Sequence, residues 1–180
     1  MADLAVRTAG AQRLVVLIDG RSGSGKSTLG RALAGVLSDR APQLVHLDDL
    51  YPGWSGLAAA SAAVAGTILR PDSPGYRRYD WVAGRPAEWV PLDPDRPVIV
   101  EGAGAITAAA QQYATLTIWV AAPAAARRAA VLHRDGPAYL DWWDDWAAQE
   151  NRHLIADQPA HRADVTVRAD LLTTLYVTED

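Results

Sequence analysis

Residues 20–27 read Gly-Arg-Ser-Gly-Ser-Gly-Lys-Ser, which fills every fixed position of the pattern G-x-x-x-x-G-K-[ST]. Residues of these types at this spacing can bind a phosphate chain. Gly20, Gly23 and Gly25 let backbone N–H groups converge on phosphate oxygens with no Cβ in the way. Lys26 can reach β- and γ-phosphates, and the Ser27 hydroxyl can ligate Mg²⁺. Ser22, Ser24 and Thr28 complete the expected nucleotide contacts. A chance glycine-rich turn is the competing reading. A strand pattern before the loop and a helical pattern after it argue against that.

Carboxylates follow two later apolar runs. Asp48 and Asp49 close the first, and Glu101 closes Val98-Ile99-Val100. An acid beside a phosphate loop can take a proton from an attacking hydroxyl or hold a metal through water. Asp48 is therefore a candidate base and metal-side group, with Asp49 the other candidate for the base, and Glu101 a second metal-side group. The alternatives are a turn pair before Pro52-Gly53 and a solvent-exposed strand end. Arg127, Arg128 and Arg134 sit on one helical stretch, and guanidinium groups suit a migrating phosphoryl group. Arg127 and Arg134 are the candidate catalytic pair, and a solvated helix face is the alternative. On the acceptor side, Tyr51 follows the acids directly, while Arg78, Tyr79 and Asp80 offer charge around an aromatic ring. A loop packed by its own Trp and Tyr accounts equally well for that cluster.

Elements must hold these groups in place. Leu14–Ile18 is a continuous apolar run, the pattern of a strand buried on both faces of a parallel sheet. Helical spacing follows from Lys26 to about Ser38. Further strands are expected at 44–47, 98–100, 116–121 and 165–167, with helices at 55–69, 105–113, 123–134 and 137–156. Gly136-Pro137 breaks the last two helices. Residues 70–96, rich in Pro, Gly, Arg and Trp, read as an irregular excursion over the site, and the tail from Leu171 as a short strand or a frayed end. Strands alternating with helices argue for an α/β fold with a mostly parallel sheet of about five strands, in one domain spanning 1–180. Ligands in such folds bind beyond the carboxyl ends of the strands.

Composition narrows the field. A net charge of −4 and a pI of about 5.5 lack the basic footprint of a nucleic-acid binder. With no cysteine, disulfides, thiolate metal sites and cysteine nucleophiles are excluded. Residues 1–12 carry no signal-like apolar core, and the Ala-rich stretch at 56–69 is too short to span a bilayer. The expectation is a cytoplasmic protein, monomer or homodimer, whose partner is a small-molecule acceptor rather than nucleic acid or membrane. Trp142, Trp143 and Trp146 fall at helical spacing and read as packing residues. Gln149 and Glu150 read as an exposed helix stretch without a role. His46 reads as a structural residue of its strand, and the four histidines show no metal-ligand spacing.

Taken in chain order, the phosphate loop, Asp48-Asp49-Leu50-Tyr51, Glu101-Gly102, the Arg127-to-Asp135 segment and Ala163-Asp164 resemble uridine kinase-like P-loop kinases. The resemblance covers roughly residues 13–168. The chain is also similar to short actinobacterial ATP-binding proteins of kinase-like type. The family resemblance implies a three-layer α/β/α fold with a small helical lid at about 123–157, and ATP and Mg²⁺ as cofactors. It also implies Asp48 as the base, Tyr51 as a substrate contact and Glu101 as metal-linked. Leu50 replaces the family's Phe. Arg127, Arg134 and Asp135 keep the lid spacing, whereas Ala130 and Val131 stand where further arginines belong. The implied activity is transfer of the γ-phosphate of ATP to a hydroxyl of a small molecule, with nucleosides among the candidate acceptors. Two alternatives stay open: a nucleotide-binding switch or slow ATPase, and a nucleoside monophosphate kinase gripping its acceptor through Arg77-Arg78. No Asn-Lys-x-Asp guanine-reading motif is present.

Overall fold

In the structure, a computed structural model that describes residues 1–169, helix α1 (Ala2–Ala9) leads into strand β1 (Val15–Asp19). Every residue of β1 is buried. Successive strand side chains point to opposite faces, so a strand covered on both sides must be apolar throughout. Val15 and Leu17 face one core, and Val16 and Ile18 face the other.

The phosphate loop leads into helix α2 (Lys26–Val36) and strand β2 (Gln43–His46). Helix α3 (Leu57–Ala63) runs on as a wider turn over Val64–Ile68. After the hairpin β3 (Gly75–Asp80) and β4 (Arg85–Pro91) come strand β5 (Val98–Glu101), helix α4 (Ala108–Gln111) and strand β6 (Leu116–Ala121). Helices α5 (Ala124–Asp135), α6 (Leu140–Asp157) and α7 (Pro159–Arg162) then precede strand β7 (Val165–Arg168). The main sheet is parallel throughout, in the order β2-β5-β1-β6-β7. Helices α1 and α2 cover one face, and α3, α4 and α6 the other. This is a three-layer α/β/α fold. Among the described residues no helix is long and apolar enough to cross a membrane.

Two expectations are corrected, and one element is added. The irregular excursion at 70–96 is an antiparallel hairpin, β3 against β4. Both of its faces are largely exposed, so it lacks the apolar alternation that marks a half-buried strand. Residues 2–9, to which no element was assigned, form α1, anchored by the buried Ala5 and Ala9. The helix expected at 105–113 shrinks to four residues, capped by Thr107, whose hydroxyl accepts from Ala110 N. The tail from Leu171 lies outside the described residues.

Candidate active site

The phosphate loop spans from the end of β1 to the start of α2. Gly23 and Gly25 hold positive φ angles of 77° and 95°, which L side chains rarely adopt. A Cβ on Gly23 would also run into the Arg127 carbonyl of α5. The first intrahelical bond of α2 runs from Leu29 N to Gly25 O. The amides of Lys26, Ser27 and Thr28 therefore have no partner within the helix and sit at its positive end, where anions bind. Lys26 Nζ donates to Arg21 O at 3.1 Å and arches over the loop. The Ser24 side chain is buried, and no hydrogen-bond partner is found for its hydroxyl among the described residues.

Two carboxylates face the loop. Asp48 and Glu101 line the same cleft as Lys26 and Ser27, a cavity of about 510 Å³. Asp48 opens onto the cleft from a single 3₁₀ turn, Leu47–Asp49. Surrounding protein desolvates its carboxyl and pushes the pKa up against the pull of Lys26. Asp49 does not line the cleft. Glu101 is buried at the end of β5. Burial works to raise its pKa, but the His46 hydrogen bond, the charge of Lys26 and a hydrogen bond from Ser27 outweigh it and hold it below its ordinary value. His46 Nδ1 donates to Glu101 Oε1 at 2.5 Å, and that bond raises the His46 pKa. The pairing follows from register, because His46 of β2 lies beside Glu101 of β5.

The far wall of the cleft is aromatic. Trp54 stacks on Trp142 at 5.5 Å between centroids and meets Trp81, Tyr139 and Trp146 edge-on. Trp81 and Trp142 stay substantially exposed, at 41% and 42%. Three polar atoms of this wall are already engaged. Trp81 Nε1 donates to Asp48 O at 2.9 Å, and Tyr139 OH shares a 3.0 Å hydrogen bond with Ser22 Oγ. Tyr51, the expected substrate contact, contributes its ring edge, but its buried hydroxyl donates to Ala103 O. Trp142 and Trp146, read as packing residues, thus also line the cleft.

Several predicted residues lie elsewhere. Arg78 is exposed on β3 and pairs with Glu88 of β4 at 2.8 Å. Asp80 Oδ1 accepts from Val82 N and Ala83 N, so its carboxylate closes the hairpin turn. Tyr79 packs edge-on against Trp81 behind the rim. None of the three lines the cleft, and the polar groups of Arg78 and Asp80 are spent within the hairpin. Arg127 is also turned away. It is buried, donates to Ser22 O at 3.1 Å and lies 5.8 Å from the Trp143 ring centre, bracing the loop from behind. Arg134 does line the cleft, doubly hydrogen-bonded to Asp135.

Four residues that sequence reading passed over hold the site together. Asp19 Oδ1 accepts from Gly20 N at 2.6 Å and Gly104 N at 3.2 Å, while Oδ2 accepts from Ile106 N and His153 Nε2, both at 2.9 Å. His153 Nδ1 donates to Asp157 at 3.2 Å. Burial alone would lower the His153 pKa, but the two carboxylates outweigh it and raise it. Glu150 is buried with Oε1 on Ser22 N and Oε2 on Arg21 Nε. Gln149 is buried as well and donates to Trp54 O at 2.6 Å. The helical spacing of Trp146, Gln149, Glu150 and His153 was the available signal. Polar residues on an inward face look like a solvated face until the helix is docked.

The loop fits a nucleotide phosphate chain, since its glycines are sterically required and the helix amides are available. Ser27, Glu101 and Asp48 offer the oxygen donors that Mg²⁺ takes. Among the described residues no group of three or more His, Asp or Glu could hold a metal ion. Mg²⁺ usually relies on one or two carboxylates, substrate phosphates and water, so the donor set is sufficient.

Comparison with known proteins bears on this arrangement. No family model matches the chain, and no curated protein matches it. Solved structures do. One described as a possible uridine kinase from Bacillus stearothermophilus superposes with a TM-score of 0.60 at 20% identity, covering 92% of this chain and 96% of that one. A protein assigned as a fructose transport system kinase from Silicibacter sp. TM1040 gives 0.59 at 19%, with the same coverages. The chain shares the fold of these two structures. At these identities the likeness extends to the fold, and the chemistry has to be argued from the cleft.

Proposed function

We propose that the protein is an ATP-dependent kinase that transfers the γ-phosphoryl group to a hydroxyl of a small molecule. One observation carries this reading. A single cleft joins a phosphate loop, with Lys26 and Ser27, to the Asp48 carboxylate and a separate aromatic wall. A pure nucleotide switch has no use for that second half. ATP would lie with its phosphates on the loop and the amides of α2. Mg²⁺, held from Ser27 and Glu101 and through water from Asp48, would supply charge neutralisation on the phosphate oxygens. Asp48 would take the proton of the acceptor hydroxyl as its oxygen bonds to the γ-phosphorus and the bond to ADP breaks.

The acceptor end favours a molecule without a phosphate. Arg78 is tied to Glu88, Arg77 to Ala87 O, and Arg134 to Asp135. The Trp54–Trp81–Trp142 wall offers ring faces, so the acceptor presents an apolar or flat face beside its hydroxyl, as nucleosides do. The test is ATP consumption with nucleosides, sugars and small alcohols as acceptors. One class should raise turnover well above acceptor-free hydrolysis. Folded protein whose turnover no acceptor raises would sink the kinase reading in favour of a slow ATPase or switch.

A further inference from the structure

Helix α6 presents Trp142, Trp146, Gln149, Glu150 and His153 along one face, at the helical i, i+4, i+7, i+8 and i+11 spacing. Trp142 and Trp146 belong to the aromatic wall, and His153 grips the end of β1. Glu150 alone among them reaches the phosphate loop. Its side chain is 4% exposed, and both carboxylate oxygens are engaged: Oε1 accepts from Ser22 N at 2.5 Å and Oε2 from Arg21 Nε at 2.8 Å.

We propose that Glu150 is a positioning residue that fixes the front of the phosphate loop for the terminal phosphate of ATP, an inference that rests on the kinase reading of the cleft. The two halves of the loop are held differently. Residues 25–28 are set by α2 itself, whose hydrogen bonds begin at Gly25 O. Residues 21–23 lie outside that helical ladder; the Arg21 carbonyl accepts from Ser24 N and Lys26 Nζ, and Ser22 and Gly23 are clamped by side chains and backbone from two helices. Glu150 of α6 takes the Ser22 N–H, while Arg127 of α5 takes the Ser22 C=O and packs its own carbonyl against Gly23. Ser22 and Gly23 line the cleft together with Asp48. The segment that Glu150 holds therefore lines the same cleft as Asp48, Lys26 and Ser27, and under the proposal the terminal phosphate is set against it. A buried carboxylate is costly without its partners, so Glu150 holds both tightly. Without it, Arg21 loses its ion-pair partner and Ser22 is held only through its carbonyl and hydroxyl.

The test is calorimetric binding of ATP and of ADP, each with Mg²⁺, to the full chain. It compares wild type, Glu150→Ala, Glu150→Gln and Arg21→Ala. Loss of a buried charge-assisted clamp should weaken ATP binding by about tenfold to a hundredfold in Glu150→Ala. The loss for ADP should be smaller, because residues 25–28 keep their helical support. Glu150→Gln should recover much of the affinity, since its amide oxygen can still accept the Ser22 N–H. If Glu150→Ala does not fold, the ATP-to-ADP contrast in Glu150→Gln and Arg21→Ala decides the question. ATP affinity within twofold of wild type in a folded Glu150→Ala overturns the proposal. Equal losses for ATP and ADP, with no recovery by Gln, also overturn it, because they describe a general structural defect. Failure of wild type to bind ATP at all would instead sink the kinase reading itself.

Discussion

Replacing Asp19 by Asn should damage this protein out of proportion to the one atom changed. The side chain is buried and accepts four hydrogen bonds, two on each oxygen. Asparagine must turn an NH₂ towards one of those pairs of donors. If it replaces Oδ1, the amides of Gly20 and Gly104 both lose their acceptor. If it replaces Oδ2, Ile106 N is orphaned and His153 must give up its Nε2 proton to accept in its place. The second arrangement is milder, and it still leaves one buried N–H unpaired and removes a charged pair. An orphaned buried amide costs about 1–3 kcal/mol and a hydrogen bond to a charged group contributes about 1.5–3 kcal/mol, so a loss of about 3 kcal/mol is a central figure. For a chain of this length that corresponds to a fall in Tm of about 6–12 °C. Thermal unfolding followed by far-UV circular dichroism, with urea midpoints as a check, measures it. A fall below about 2 °C would mean that Asp19 does not hold these donors together, and would refute the reasoning.

Other outcomes follow from the same geometry. Asp48→Asn should lower kcat with the identified acceptor by about 10²–10⁴-fold while leaving ATP affinity within a few-fold, and Asp49→Asn should do far less; equal effects would remove Asp48 as the base. The raised His153 pKa implies a pH-dependent contribution to stability. A group that gains basicity on folding stabilises fully below its unfolded pKa of about 6.5, and the contribution is lost as pH rises through the higher folded value. Urea midpoints taken from about pH 6 to 9 should therefore decline less in His153→Gln than in wild type, and a steeper decline in the variant would contradict the assignment. Gly23→Ala should abolish nucleotide binding or destabilise the fold, because it combines positive φ with a clash against the Arg127 carbonyl, whereas Gly35→Ala in α2, with open space around it, should be neutral or stabilising by up to about 1 kcal/mol. Comparable effects of the two substitutions, read from ATP binding and Tm, would count against the close approach of α5 to the loop.

The sequence by itself determined the parts of the site that are local. A buried strand announces itself as an unbroken apolar run, and a phosphate loop as glycines where L side chains do not fit, followed by a lysine and a hydroxyl at the start of a helix. Parallel strands end on one side of the sheet, so Asp48 and Glu101 could be placed near that loop from their positions alone. Tertiary structure alone decided what closes over the loop. Asp19 and His153 are 134 residues apart and Ser22 and Glu150 are 128 apart. Their pairing depends on how α6 docks, which no local pattern encodes. The packing of α5 likewise turned Arg127 onto the loop backbone, and Trp54, Trp81 and Trp142 come from three separate segments into one wall. The hairpin's own hydrogen bonds drew Arg78 and Asp80 away from the cleft. Backbone conformation and burial pattern are written in neighbouring residues, but a buried polar group reveals its role only once its distant partner has been folded against it.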